Sequence, residues 1–337
     1  MKDQNVLIFS QDFEPATCDV MDWIDWFGKT PFRINIDLDE LDQIEYIISN
    51  DKCLANITIE NKTLDLKETY SYWYRRGGLP VTKNWALDIS KIFSKLFLPA
   101  IKNALAYEYS ALRNFTYSIL YQKKIKIGDP FKCAPNKLEV LDLAKEIGLK
   151  IPKTIVTNNK KDLLNFRKSN PDLITKNISG SPFIKNSVGQ FYSYTERLSN
   201  RLLQLLPSHF FPSIVQEEVK KKYEIRTFYL NGQCSSMAIF SQADSQTAID
   251  FRKYNTEKSN RTVPYKLPKI IESKIDLLMK KLELESGSID IILSETNEYC
   301  FLEVNPVGQF GMVSSPCNYY LEKRIAKYLT GHDEQKN

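Results

Sequence analysis

SIDIILSETNEYCFLEVNPVGQFG, residues Ser288 to Gly311, places an Asp and then a Glu-x-Asn-Pro on what scans as a two-stranded hairpin. Side chains alternate along a strand, so Glu303 and Asn305 fall on one face, with Cys300, Leu302 and Val304 on the other. If Thr296-Asn297 makes the tight turn, Asp290 lies opposite Glu303. Asp290, Glu303 and Asn305 then converge as three oxygen ligands with no His or Cys among them. That set suits a hard cation held partly by water and partly by substrate phosphates. Magnesium with a nucleotide is the natural occupant. An isolated Glu-x-Asn-Pro equally suits a solvated surface hairpin, so the segments upstream decide between the two.

The chain's 337 residues exceed what one core usually organises, so two or three domains are expected. Hydrophobic residues make up 42% and charged residues 26%, as in ordinary globular proteins, and no apolar run approaches the roughly 20 residues of a membrane span. The start, Met1-Lys2-Asp3-Gln4-Asn5, lacks the pattern of a signal peptide, so a cytoplasmic protein with no membrane role is expected. The six cysteines, Cys18, Cys53, Cys133, Cys234, Cys300 and Cys317, form no C-x-x-C pair and read as reduced. A net charge of +5, from 46 basic and 41 acidic residues, is too even for a nucleic-acid footprint. With His209 and His332 as the only histidines, a histidine-based triad is excluded.

Val6–Phe9 reads as a strand, Thr17–Phe27 as a helix and Phe32–Ile36 as a second strand, the rhythm of an α/β unit. Ile57–Ile59 and Leu64–Leu66 suggest a hairpin, Tyr70–Arg76 an aromatic strand, and Leu87–Tyr121 a long helix. Gly128-Asp129-Pro130 marks a boundary. Beyond it Asn136-Lys137-Leu138-Glu139 caps a helix that Gly148 stops. Strands follow over Ile151–Thr157 and Leu173–Lys176, the second leading into a flexible loop at Asn177–Gly189. Ser213–Val219, Glu224–Leu230 and Cys234–Phe240 read as strands, the last two joined by Asn231-Gly232. Pro268–Leu284 and Asn318–Leu329 read as helices. The expected domains are residues 1–128, 129–212 and 213–337.

A nucleoside triphosphate requires cations along its phosphates, an apolar slot with a strand edge for adenine, acceptors for ribose and acids for metal. Lys137 at a helix start and Lys176 at a strand end can reach phosphates. Gln216-Glu217-Glu218-Val219 leaves a strand edge for adenine, and Glu224 and Arg226 share a strand face. Each lysine alone suits a solvated terminus, and Glu-x-Arg alone a surface pair worth under about 1 kcal/mol. Their joint order, ending in Asp290 and Glu303-Val304-Asn305-Pro306, resembles an ATP-grasp ligase. The chain is more narrowly similar to the ATP-grasp enzymes that macrocyclise ribosomal peptides, the graspetide or microviridin-type synthetases. Tyr72-Trp73-Tyr74-Arg75-Arg76 is similar to their aromatic-Arg-Arg strand, Thr247 to Arg252 to their T-x-x-D-W-R, and Glu303 to Gly311 to their E-V-N-P-x-G-Q-W/F. The opening Leu7 to Ser10, with Glu14 to Thr17 and Asp22 to Ile24, resembles the grasp-with-spasm branch. Phe251 departs from the family's Trp, which keeps the aromatic surface and loses the indole N–H.

The resemblance implies a mixed α/β (α+β) ATP-grasp fold: a small N-terminal α/β domain, a central domain, and a C-terminal antiparallel-sheet domain enclosing ATP. It implies ATP with Mg²⁺, and a ribosomal precursor peptide, leader plus core, as partner. An Asp or Glu side chain of that peptide would become an acyl phosphate. A Ser/Thr hydroxyl or Lys amine would then attack it, closing an ester or amide ring with release of ADP and phosphate. Attack of a carboxylate on a γ-phosphate brings anion to anion, which Mg²⁺, the lysines and Arg226 would offset. Arg252 is a candidate to hold the acyl phosphate or peptide carboxylate, and Asp250 to orient that arginine or deprotonate the nucleophile. Homodimerisation is compatible with the resemblance. Two other functions stay open: a ligase joining amino acids to a small molecule or protein terminus, and a non-catalytic leader-binding partner of a maturase.

Overall fold

The computed structural model describes residues 4–80, 91–92, 94–179, 183–185, 190–192, 195–242 and 260–332, with 183–185 and 190–192 described as strand backbone. The chain divides into two units, Met1–Phe131 with Tyr320–Asn337, and Lys132–Tyr319.

The first unit is built on β1 (Asn5–Ser10), whose Val6 to Phe9 are fully buried. A run apolar on both faces belongs in a parallel sheet covered on both sides. β1 lies between β2 (Thr30–Asn35) and β6 (Ser71–Tyr74), with β7 (Lys126–Ile127) beyond β6, and every pair is parallel. An antiparallel meander of β3 (Leu41–Ile48), β4 (Cys53–Ile59) and β5 (Lys62–Asp65) sends Leu41, Ala55, Ile57, Ile59 and Leu64 into one core with Leu7 and Phe9. The long helix contributes Tyr117 and Leu120 to that core. It runs from Leu98 to Tyr121. It therefore starts later than its apolar pattern suggests, because Pro99 occupies the first turn, where its missing N–H costs nothing, and residues 95–97 form a turn ahead of it. Of the earlier part of that expected helix, 91–92 are helical, and 87–90 and 93 lie outside the described residues. The helix Leu321–Leu329 rejoins this unit: it buries Leu321, Ile325, Ala326 and Leu329, Ser71 Oγ donates to Leu329 O at 2.7 Å, and Lys323 Nζ lies 4.4 Å from the Trp23 ring centre.

In the second unit, β8 (Thr154–Asn159), β9 (Leu173–Lys176), β12 (Glu196–Arg197) and β13 (His209–Glu217) form a sheet of order β12-β9-β13-β8. Helices Lys160–Ser169 and Asn200–Leu205 close its small core of Leu163, Leu173, Leu203 and Val215. The expected loop at 177–189 contains a strand, β10 (Phe183–Lys185), paired antiparallel with β11 (Gln190–Tyr192). Residues 180–182 and 186–189 lie outside the described ones.

The larger sheet of this unit has five antiparallel strands: β14 (Lys221–Leu230), β15 (Gln233–Phe240), β16 (Arg261–Tyr265), β17 (Ser286–Ser294) and β18 (Tyr299–Asn305), in the order β16-β15-β14-β17-β18. Asn231 and Gly232 both take positive φ (41° and 85°), as the tight turn from β14 to β15 requires. One face is apolar. Ile225, Tyr229, Ile289, Ile291, Phe301 and Val304 pack there with Val140, Leu141 and Ala144 of the helix Lys137–Glu146, and with Ile275, Leu278 and Met279 of the helix Lys269–Lys281. Each such side chain contributes about 1.5–3 kcal/mol when fully buried. The helix Gly311–Cys317, which has no counterpart in the apolar spacing, ends at Asn318 in the left-handed region.

Gly128 takes φ +78° with a position for Cβ only 2.6 Å from the Tyr74 carbonyl oxygen. Gly128→Ala should therefore destabilise by about 1–3 kcal/mol, read as a lower urea midpoint at unchanged slope; an unchanged midpoint would contradict the placement of this turn.

Candidate active site

The other face of the five-stranded sheet is charged. Arg226 on β14 pairs with Asp290 on β17, and Asp290 with Glu303 on β18, so the three lie in one cross-strand row. Directly opposed residues share a face at about 4.5–5.5 Å between Cβ atoms, which suits ion pairs. Arg226 Nη1 donates to both Asp290 oxygens at 2.7 Å, with side-chain exposures of 7% and 15%. Lys137 enters from a helix start capped by Asn136, whose side-chain oxygen accepts from Leu138 N at 3.0 Å, and its Nζ lies 3.1 Å from Glu303 Oε2. Asn305 lies opposite Ser288, two residues along the same face, and its Oδ1 accepts from Gly308 N at 3.3 Å.

The expected register of Asp290 against Glu303 is present, and Asn297 in the connecting turn takes φ +63°. The expected face of Cys300 is wrong. Ile292 pairs with Cys300 while Asp290 pairs with Glu303, so β18 carries one extra residue between these pairs. That bulge turns Cys300 onto the side of Glu303 and gives Phe301 to the apolar core. Burial pushes the Cys300 thiol up to about 12.

One register row away, Glu224 is buried, and the bonds to its carboxylate fall on Oε1, from Lys221 Nζ and from Ser241 Oγ at 2.9 Å. Burial raises the Glu224 pKa, with Lys221 and Ser241 opposing the rise and the Asp290 charge adding to it. Val219 and Lys221 line a cleft of about 460 Å³ together with Ile174, Gln242 and Ile292. Lys176 ends β9 opposite Ile214, half-buried, and its charge acts on Cys300. Gln216 is buried, with its amide nitrogen donating to Thr154 Oγ1 at 2.8 Å, and Glu217 Oε1 accepts from Lys153 N at 3.0 Å. These last two side chains tie β13 to its neighbouring segment. Asp250 and Arg252, with the whole Thr247–Arg252 motif, lie outside the described residues.

The residues fit a nucleotide with its metal. Asp290, Glu303 and Asn305 supply only oxygen donors, as a magnesium site requires. Among the described residues, Arg226 Nε and Ser288 Oγ are buried without a hydrogen-bond partner on this same face, and orphaned polar atoms at a site point to a ligand. Periodicity alone did not reveal Lys221, Ser241 or Ser288.

No family model matches the chain, and no curated protein matches it. Solved structures do. A Chryseobacterium gregarium RiPP-associated ATP-grasp ligase, in complex with ADP and a leader and core peptide, is 25% identical with a TM-score of 0.84, over 98% of this chain and 97% of that one. The macrocyclase MdnC from Microcystis aeruginosa, bound with precursor peptide MdnA, is 26% identical with a TM-score of 0.76, over 97% and 99%. D-alanyl-alanine synthetase A from Vibrio cholerae, 10% identical with a TM-score of 0.55 over 98% of each chain, shares the fold. The chain has the ATP-grasp fold of these ligases, and the likeness supports an ADP-forming ligase. Within that class the likeness to RiPP-associated ligases and macrocyclases covers nearly the whole chain.

Two outcomes test this geometry. Asp290→Leu leaves Arg226 buried and unpaired and should cost about 3–5 kcal/mol in urea unfolding, while Arg226→Met with Asp290→Leu recovers most of that loss; equal costs would contradict the burial of the pair. On the folded protein at pH 8, Ellman's reagent should react with exposed Cys18 and Cys53 well before buried Cys300. Early labelling of Cys300 would contradict its burial.

Proposed function

We propose that this ligase macrocyclises a ribosomally made precursor peptide at the expense of ATP. The γ-phosphate passes to an Asp or Glu side chain of the peptide, forming an acyl phosphate with release of ADP. A Ser/Thr hydroxyl then forms a lactone, or a Lys amine a lactam, releasing phosphate. The observation that carries this reading is the row Arg226–Asp290–Glu303 with Lys137, set on one sheet face of a chain whose likeness to peptide macrocyclases is whole-length.

Asp290, Glu303 and Asn305 would hold Mg²⁺, which supplies Lewis-acid polarisation of the phosphates. Lys137 and Lys176 offset phosphate charge, and Arg226 presents its unused Nε to developing charge on the transferred group. The cleft with Val219 takes adenine at the strand edge after Gln216 and Glu217. Glu224 accepts from ribose. Arg252 and Asp250 are assigned to the peptide side of the reaction. The organisation is proposed as residues 1–128, 129–212 and 213–337, the helix Leu321–Leu329 of the last segment packing in the first unit. Among the described residues no helix is long and apolar enough to cross a membrane, and a cytoplasmic homodimer completes the proposal.

The test is intact-mass spectrometry of a short peptide rich in Thr, Ser, Asp and Glu, encoded beside this gene and co-expressed with the protein. Loss of one water mass per ring, abolished by Glu303→Ala, is expected. An unmodified peptide alongside ATP hydrolysis would overturn the reading.

A further inference from the structure

Glu224 is held in an unusual way. Lys221 and Glu224 are three residues apart on β14, an odd spacing that puts two side chains on opposite faces of a regular strand. Here they touch, because Lys221 pairs with Ser294 and Tyr223 with Leu293, leaving Lys222 as an extra residue. The bulge turns Lys221 onto the face of Glu224, whose partner is Ile292, and sends Tyr223 to the apolar core. Ser241 joins from the β15 side, two residues past Ile239, itself opposite Glu224. Lys221 is buried to 6% side-chain exposure, and a lysine is rarely so buried unless paired.

The consequence is an asymmetric carboxylate. Oε1 takes the Lys221 ammonium and the Ser241 hydroxyl, while among the described residues Oε2 accepts no hydrogen bond. A buried carboxylate with one oxygen saturated by a charge and the other unused is prepared for a ligand that donates rather than accepts. A ribose carries two adjacent hydroxyl donors. Lys221 and Ile292 both line the cleft beside Val219, and Glu224, bonded to the first and opposite the second, stands directly behind that lining.

We infer that Lys221 is a positioning residue for the nucleotide: through Glu224 Oε1 it holds the carboxylate aimed, so that Oε2 reads the ribose hydroxyls. This rests on the reading of Glu224 as the ribose acceptor. Hydrogen bonds to a charged group are worth enough that losing one donor costs about tenfold or more in affinity. The wild-type protein should therefore bind Mg·ATP at least about tenfold more tightly than 2′-deoxy-ATP or 3′-deoxy-ATP.

Isothermal titration of these three nucleotides against the wild type, Lys221→Met, Glu224→Gln and the double variant tests it, with thermal melts alongside. Lys221→Met should bring ATP to the deoxynucleotide level while leaving the deoxynucleotides within about twofold. Because Lys221→Met strands a buried carboxylate and can unfold the protein, the double variant carries the second arm. There Lys221→Met should change nothing further in the Glu224→Gln background, as expected of a residue acting only through Glu224. A wild type that does not discriminate would remove the ribose reading of Glu224, and this inference with it. Discrimination retained in Lys221→Met, or all three nucleotides weakened equally, would overturn the role of Lys221 alone. A further loss of ATP affinity in the double variant would mean that Lys221 touches the nucleotide itself.

Discussion

The ion pair of Arg226 with Asp290 is the constraint from which the charged face of the five-stranded sheet follows. Two charges in the middle of a five-stranded sheet are costly to desolvate, and only close, multiply bonded contact repays that cost. The antiparallel register supplies the contact by putting the residues directly opposite one another, with one nitrogen reaching both oxygens. Asp290 in turn faces Glu303, a like charge that would be unfavourable directly across a strand pair. Lys137 offsets it, which is why a helix start must be held over this edge of the sheet. The apolar opposite face does that holding, through Val140, Leu141 and Ala144 against Ile289, Phe301 and Val304. Core packing and site electrostatics are two faces of one ladder.

The same ladder shows what could be read from residues alone. The Asn231-Gly232 turn and the turn at Asn297 set the registers, and both are legible as short-range signals, so Asp290 against Glu303 was accessible from spacing. Bulges were not. An extra residue flips every side chain beyond it, and nothing in a period-two pattern marks Lys222 or Leu302 as that residue. Hence Cys300 was expected on the wrong face, and Lys221 was not expected to meet Glu224. Long-range placement was equally silent: the helix Leu321–Leu329 has a clear apolar stripe, but a stripe does not say which core it joins. The site motif at Thr247–Arg252 is legible only as a resemblance and lies outside the described residues.

The paired arginines that follow the aromatic strand have a use within their own unit. Tyr72 and Trp73 are buried, as their β-strand context demands. Arg75 Nε meets Glu14 Oε2 at 2.9 Å and Arg76 Nη2 meets Glu14 Oε1 at 2.8 Å, so a single carboxylate just before the helix Pro15–Trp26 receives both. Thr17 Oγ1 donates to the same Oε2 at 3.2 Å. Burial disfavours the charge on Arg75 and Glu14 opposes that effect, which explains why the acid accompanies the arginines. The Glu14-Pro15-Ala16-Thr17 stretch thereby gains a physical reason: it ties the helix entrance to the end of β6.

Charge balance on the charged face also bears on how the proposed substrates would enter. Arg226 and Lys137 pair with Asp290 and Glu303, and Lys221 pairs with Glu224, so each of these carboxylates has a cation beside it. A triphosphate arriving alone would draw Arg226 and Lys137 toward it and leave two carboxylates partly buried without compensation. A divalent cation arriving alone would take the carboxylates and strand the two basic groups. Either half of the exchange costs several kcal/mol because it uncovers buried charge. When both arrive together each displaced partner finds a new one of opposite sign. On the proposed function, a site built this way favours the metal–nucleotide complex over either component, and does so through side chains that the fold already needs for its own stability.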